Sequence, residues 1–368
     1  MTNKKIRNKP YLIMKHYYKY LSIVLITVLV IPLTLSLHAG NKDRSGQAGA
    51  SELLINPWAR SNGWGGANMA KVSGLEAMWA NVAGTAKISG TQVILSYTDY
   101  LKGSGTSIAA FGLTTKIGDA GAIGIQVVSM SFGEIEITTT NSPEGGLGVY
   151  KPNLMNVAVS FGKAFSNSIY GGVLIKGVSE SIADVNAFGI AIDAGIQYVT
   201  GAREQIAFGI SLKNVGPKMK FSGDGLSIKS FIPGQDNAFT LEQRSQPFNL
   251  PTQLQIGAAY DFLMPKDYRI TLGGNFVSNS FTRDQFSLGL EFSLKDYFMV
   301  RGGYTYENGM YEETTADNNT NINNGLSVGV SVAVPLNKEK GSFIGIDYAF
   351  RETAAFNNNH TIGIIFNF

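Results

Sequence analysis

The sequence predicts an all-β fold, a closed antiparallel transmembrane β-barrel of about 14 strands with an N-terminal plug. Three observations predict it. From residue 86 onward, apolar residues alternate with Gly, Ser, Ala and other small or polar residues at a period of two. The long connections between these stretches all fall at odd positions in the order, and every even-numbered connection is short. The chain ends HTIGIIFNF, which places Ile362, Ile364, Phe366 and Phe368 on one face of a last strand.

The first element is a leader. Lys4, Lys5, Arg7, Lys9, Lys15 and Lys19 precede the apolar run LSIVLITVLVIPLTLSL at 21–37, with no acid among them. The run closes at Leu37-His38-Ala39, so residues 1–39 read as a secretory signal peptide. Translation from Met14 would give a shorter, more ordinary leader. Removal of its six cations takes the net charge from +3 to −3. No basic patch calls for nucleic acid. Beyond residue 40 no apolar run reaches 20 residues, which excludes a helical membrane bundle. Charged residues are 15% of the chain, well below the roughly 25% of soluble domains.

The second element, residues 40–85, does not alternate. It holds all three tryptophans, Trp58, Trp64 and Trp79, among glycines. Gly63, Gly65 and Gly66 permit sharp turns, and Ser73-Gly74-Leu75-Glu76 fits a capping box that would start a helix at about 74–81. The expectation is a plug that packs rigid aromatic surface against a glycine-rich wall; the bland alternative is a periplasmic tail with interfacial aromatics.

The third element, residues 86–368, is the barrel. Its strands are expected near 91–101, 106–117, 121–135, 154–164, 168–179, 186–200, 204–214, 249–263, 267–278, 283–295, 297–307, 325–336, 342–352 and 360–368. In FSLGLEFSL, Phe286, Leu288, Leu290, Phe292 and Leu294 share one face, and Ser287, Gly289, Glu291 and Ser293 the other. A water-exposed sheet face would carry Lys, Glu and Thr; here the second face is Gly, Ser and Ala, so the aliphatic face meets lipid. Lipid leaves no partner for free backbone groups, so the sheet must close. Lys176, Lys213, Arg269, Glu291, Arg301 and Asp347 then point into the lumen and need water or counter-charges. The long connections, about 136–153, 215–248 and 308–324, belong outside the cell. In the longest, Phe221, Ile228, Phe231 and Phe239 offer a docking surface or a self-packed lid.

The stretch ELLINPWARSNGWGGANMAKVSGLEAMWANVAGTA resembles the N-terminal signature of the PorV/PorQ family. Pro57, Ala59-Arg60, Gly63, Gly65-Gly66-Ala67, Glu76-Ala77, Trp79 and Ala83-Gly84 carry the likeness; WANVAG departs from the usual WNPAG, which displaces Asn81 and puts Val82 where Pro is common. The resemblance implies a FadL-like barrel with an N-terminal hatch that contains Pro57, Trp58, Arg60, Trp64, Glu76, Trp79 and Asn81. It also implies the type IX secretion system of Bacteroidota. Family members there bind the C-terminal signal domain of secreted cargo or work within the translocon and the surface attachment complex. Two rivals stand beside that expectation: a FadL-like outer-membrane transporter of hydrophobic small molecules, and a simple diffusion pore.

No catalytic residue, metal site or cofactor is expected. The chain has no Cys, and of His16, His38 and His360 only the last lies past the leader. No Gly-x-Ser-x-Gly elbow accompanies it, and ADNNTNINNG lacks the Gly and terminal Glu of a Ca²⁺ loop. Glu134 and Glu136 read as rim acids.

Overall fold

The computed structural model describes residues 44–231, 234, 237–310, 322–337, 341–354 and 356–368. The expected signal peptide, with Met14, His16 and His38, lies outside the described residues. So do Ile232 and most of the 308–324 connection.

Fourteen long strands follow one another: β1 (Thr91–Tyr100), β2 (Thr106–Ile117), β3 (Gly121–Ser131), β4 (Asn153–Ala164), β5 (Ile169–Ile182), β6 (Val185–Thr200) and β7 (Ile206–Val215). The second half holds β8 (Gln253–Met264), β9 (Tyr268–Asn279), β10 (Gln285–Leu294), β11 (Phe298–Glu307), β12 (Asn323–Asn337), β13 (Ser342–Thr353) and β14 (Asn359–Asn367). Each pairs antiparallel with its chain neighbours. The ring closes where β1 meets β14, from Gln92 opposite Asn367 to Asp99 opposite His360. Closure leaves no free edge, as a hydrocarbon environment requires. Among the described residues no helix is long and apolar enough to cross a membrane.

Alternation along each strand sorts the faces. On β6, Phe188, Ile190, Ile192, Ile196 and Tyr198 are exposed, while Ala187, Gly189, Ala191, Asp193, Gly195 and Gln197 are buried inside. β12 repeats this with Leu326, Val328 and Val332 outside and Ser327, Gly329 and Ser331 inside. Aromatics mark both borders of the aliphatic band: Tyr97, Phe188, Tyr304 and Tyr306 toward the long connections, Phe165, Tyr198, Phe262 and Phe298 toward the short turns.

One expectation about the rim changes. The third strand ends at Ser131 rather than 135, so Glu134 lies in the connection, exposed and 2.8 Å from Lys151 Nζ. The longest connection is not featureless. Ser227–Phe231 pairs with Ala238–Glu242 in a small hairpin of its own, and Phe221–Ser222 adds a stub to β6 at Ala187.

Candidate functional site

Residues 44–88 occupy the interior of the ring. The segment enters beside the long connections, where Gly49 N–H donates to Asn249 O at 3.0 Å and the Arg44 guanidinium lies 4.2 Å from the Phe281 ring centroid. It leaves at the short-turn end, where Gly90 O accepts from Lys116 N–H and Thr91 exchanges hydrogen bonds with Phe368. In between it turns in short helices: Ser51–Leu54, α1 (Ala59–Gly63), Gly74–Glu76, α2 (Ala77–Ala80) and Val82–Lys87.

The wall meets this segment through glycines. A Cβ on Gly303 would sit 2.2 Å from Trp64 O, one on Gly172 2.6 Å from Val82 O, and one on Gly273 2.6 Å from Ala67 O. Gly112, Gly124, Gly162, Gly195, Gly209, Gly257, Gly289, Gly329 and Gly363 make the same kind of approach to residues between Ala59 and Thr85. Every strand except β1 and β13 thus contributes one glycine to a girdle around the segment. A strand glycine often marks a place where another backbone comes close; here a whole layer of them does.

Side chains from the wall then satisfy the segment's backbone. Gln197 Nε2 donates to Met69 O at 2.9 Å and Val72 O at 3.1 Å; Thr305 Oγ1 donates to Gly65 O at 2.6 Å; Ser96 Oγ donates to Pro57 O at 2.6 Å; Asn275 Nδ2 donates to Gly66 O at 3.1 Å. Asn81 reaches the other way, donating to Ile196 O at 3.1 Å, while its Oδ1 accepts from Ala83 N–H at 3.2 Å. Trp58, Trp64 and Trp79 are all buried, and Trp58 and Trp79 join Leu75, Met78, Val82, Ile94 and Leu174 in one apolar cluster. Gly65 and Gly66 take positive φ, as the turn after α1 demands.

The capping box does not form. Gly74 has φ of +69°, which breaks the helical start, and Ser73 makes no side-chain cap. Glu76 instead accepts from Ser61 Oγ at 2.5 Å, and Ser61 accepts from Asn68 Nδ2 at 3.0 Å.

The inward charges form a ladder across adjacent strands. Arg60 meets Asp347 at 3.4 Å; Asp347 accepts from Ser331; Arg301 donates to Ser331 and to Glu291, each at 2.8 Å; Arg269 lies 3.7 Å from Glu291 and donates to Asp296 at 2.9 Å. Opposite, Lys176 donates to Asp193 and Asn214, each at 2.7 Å. A β-bulge where β7 pairs with β6 turns both Lys213 and Asn214 inward. Lys213 lies 5.2 Å from the Trp79 ring centroid. Asp193, and Asp261 which pairs with Lys71, are missing from the sequence-based set of lumenal charges. Their signal was the same alternation that placed Lys176 and Glu291.

The rim residues separate. Phe221 is half-buried against Phe248, with ring centroids 5.5 Å apart, and Phe239 is half-buried; Ile228 and Phe231 are exposed. His360 sits at the start of β14, its Nδ1 2.8 Å from Tyr348 Oη.

Two cavities flank the segment: one of about 270 Å³ toward the long connections and one of about 980 Å³ toward the short turns. Both are lined by polar and charged groups, and Asn68 borders both.

Residues 39–280 match the family model described as type IX secretion system protein PorV. No curated protein matches the sequence. Among solved structures, the Pseudomonas putida toluene transporter TodX is 12% identical, over 85% of this chain and 97% of that one, with a TM-score of 0.52. A Pseudomonas aeruginosa FadL homologue is also 12% identical, over 83% and 96%, with a TM-score of 0.48.

Proposed function

This chain belongs to the PorV family of type IX secretion outer-membrane barrels, and from that premise we propose that it is a plugged, non-enzymatic component that binds or shuttles secreted cargo or attachment-complex partners at the cell surface. In this reading residues 1–39 are a cleaved signal peptide, 40–85 the plug and 86–368 the barrel. The partners are cargo C-terminal signal domains, translocon proteins or attachment-complex proteins, with outer-membrane lipid around the wall.

One observation carries the reading: the lumen is crossed end to end by a segment held on a glycine girdle and a ladder of ion pairs. A barrel filled this way is poorly suited to diffusion through its centre. Its remaining surface for proteins is the long-connection rim, where Ile228, Phe231 and Leu241 stand exposed on or beside the 227–242 hairpin.

Affinity purification of the full chain from outer membranes tests this. Cargo, translocon or attachment proteins should co-purify, and should be lost when residues 227–242 are replaced by a short Gly-Ser turn. The second reading, a FadL-like transporter of hydrophobic small molecules, draws on the fold likeness to TodX. It predicts lipid or hydrocarbon in the purified barrel with no protein partner. The buried charges on both sides of the segment disfavour it, because an apolar solute would leave them dehydrated.

A further inference from the structure

We propose that the cavity toward the long connections binds a small hydrophilic hydroxy acid. The cavity, of about 270 Å³, has one floor, the segment's Asn62, Asn68 and Trp79, and walls from several strands. Two cations line it from nearly opposite sides of the ring, Lys213 on β7 and Arg351 on β13.

Among the described residues neither cation has an acid of its own. Lys213 is only 4% exposed, yet among the described residues no acceptor takes a hydrogen bond from its ammonium. Asp193, the carboxylate whose charge acts on it, is already committed to Lys176 Nζ and to the Asn214 N–H, each at 2.7 Å. Arg351 has no ion pair among the described residues, and its buried Nε has no acceptor. Among the described residues the one carboxylate in the lining, Glu307, already accepts from Gln285 Nε2 at 2.8 Å. Among the described residues the lining thus sets two basic side chains against one acid, which favours an oxyanion. A guanidinium fork and an ammonium suit a carboxylate in particular.

The remaining groups say more about the ligand. Among the described residues the buried carboxamide oxygens of Asn68 and Asn275 have no donor. Buried acceptors of this kind are normally satisfied, and hydroxyl groups on the same molecule would satisfy them. A carboxylate with several hydroxyls, of sugar-acid size, answers both the unpaired cations and the unpaired acceptors. A hydrocarbon answers neither.

The test is calorimetric titration of the full-chain barrel in detergent with glucuronate, and with glucose as the neutral partner of similar hydroxyl pattern. Saturable one-site binding of glucuronate is expected, with glucose at least ~10-fold weaker, a factor worth one decade of Kd. Lys213→Gln and Arg351→Gln should each weaken glucuronate by about that factor. Lys116→Gln, at the opposite mouth, should not. Heat-modifiable migration on gels checks that each variant is folded. The glucuronate-to-glucose comparison in the unaltered barrel decides the question even if a variant fails. No saturable binding at tens of millimolar, equal binding of glucose, or indifference to both substitutions overturns the proposal.

Discussion

Glu52 sits in surroundings that suit its charge poorly. It is buried at the long-connection mouth beside Leu53 and Ala50, and among the described residues no donor from another residue reaches either carboxylate oxygen. Burial, reinforced by the Glu180 carboxylate, pushes its pKa up to about 7. A carboxyl whose native pKa is raised holds its proton more tightly folded than unfolded. Its contribution is therefore neutral below the ordinary carboxylate range. It becomes destabilising as pH rises from there through about 7, and stays so above. The full penalty is on the order of 3 kcal/mol. Glu52→Gln should raise the urea-unfolding midpoint of the micelle-bound protein at pH 8 and leave it unchanged near pH 4; an equal gain at both would remove ionisation from the account. Arg60, by contrast, stands out in the sequence as part of a motif, and only the fold shows that its partner is Asp347, 287 positions away.

At the scale of elements, the girdle makes docking of the inner segment sensitive to single methyl groups. Gly303→Ala would place a Cβ 2.2 Å from a backbone oxygen that cannot swing aside, so the Trp64–Gly65 turn must shift. Overpacking of this kind costs about 1–3 kcal/mol. Gly345, also inward on β13, meets nothing nearer than 3.5 Å, so Gly345→Ala should be tolerated. The comparison is read as the difference in thermal midpoint between the two variants. Much of this was legible beforehand. Strict alternation over strands of 9 to 16 residues exposes each strand in the sequence, and the connection lengths gave the orientation. What was not legible depends on contacts distant in sequence. The capping box fails because Gly74 adopts positive φ against the Gln92 side chain, 18 positions away. The 227–242 hairpin has a Pro233-Gly234 turn signal, but its flanking stretches SIKSF and AFTLE are short and do not alternate cleanly, so its pairing did not show. Asn81 was singled out for its departure from a motif, whereas its role is set by carbonyls of β6 and β7.

At the scale of the whole molecule, the path of the N-terminal segment has a topological consequence. The strand count is even, so the chain enters and leaves the barrel wall at the same end, the short-turn end, where Thr91 pairs with Phe368. Residues 44–49 nevertheless lie at the other end, bonded to Asn249 and stacked on Phe281. Short turns face the periplasm in outer-membrane barrels, so the start of the described segment faces the cell exterior. Ser45 and Ser89 are both exposed, one at each mouth, and the chain has no native cysteine to confuse the reading. In intact cells, Ser45→Cys should react with a membrane-impermeant maleimide and Ser89→Cys should not, while both should react after the outer membrane is permeabilised. The reverse pattern would invert the barrel. Protection of both would mean that partners or the rim connections cover the outer mouth, and stripping the complex to the isolated barrel in detergent should then uncover Ser45. Labelling of both in intact cells would mean that the reagent passes through the lumen, against a girdle-held segment that closes it.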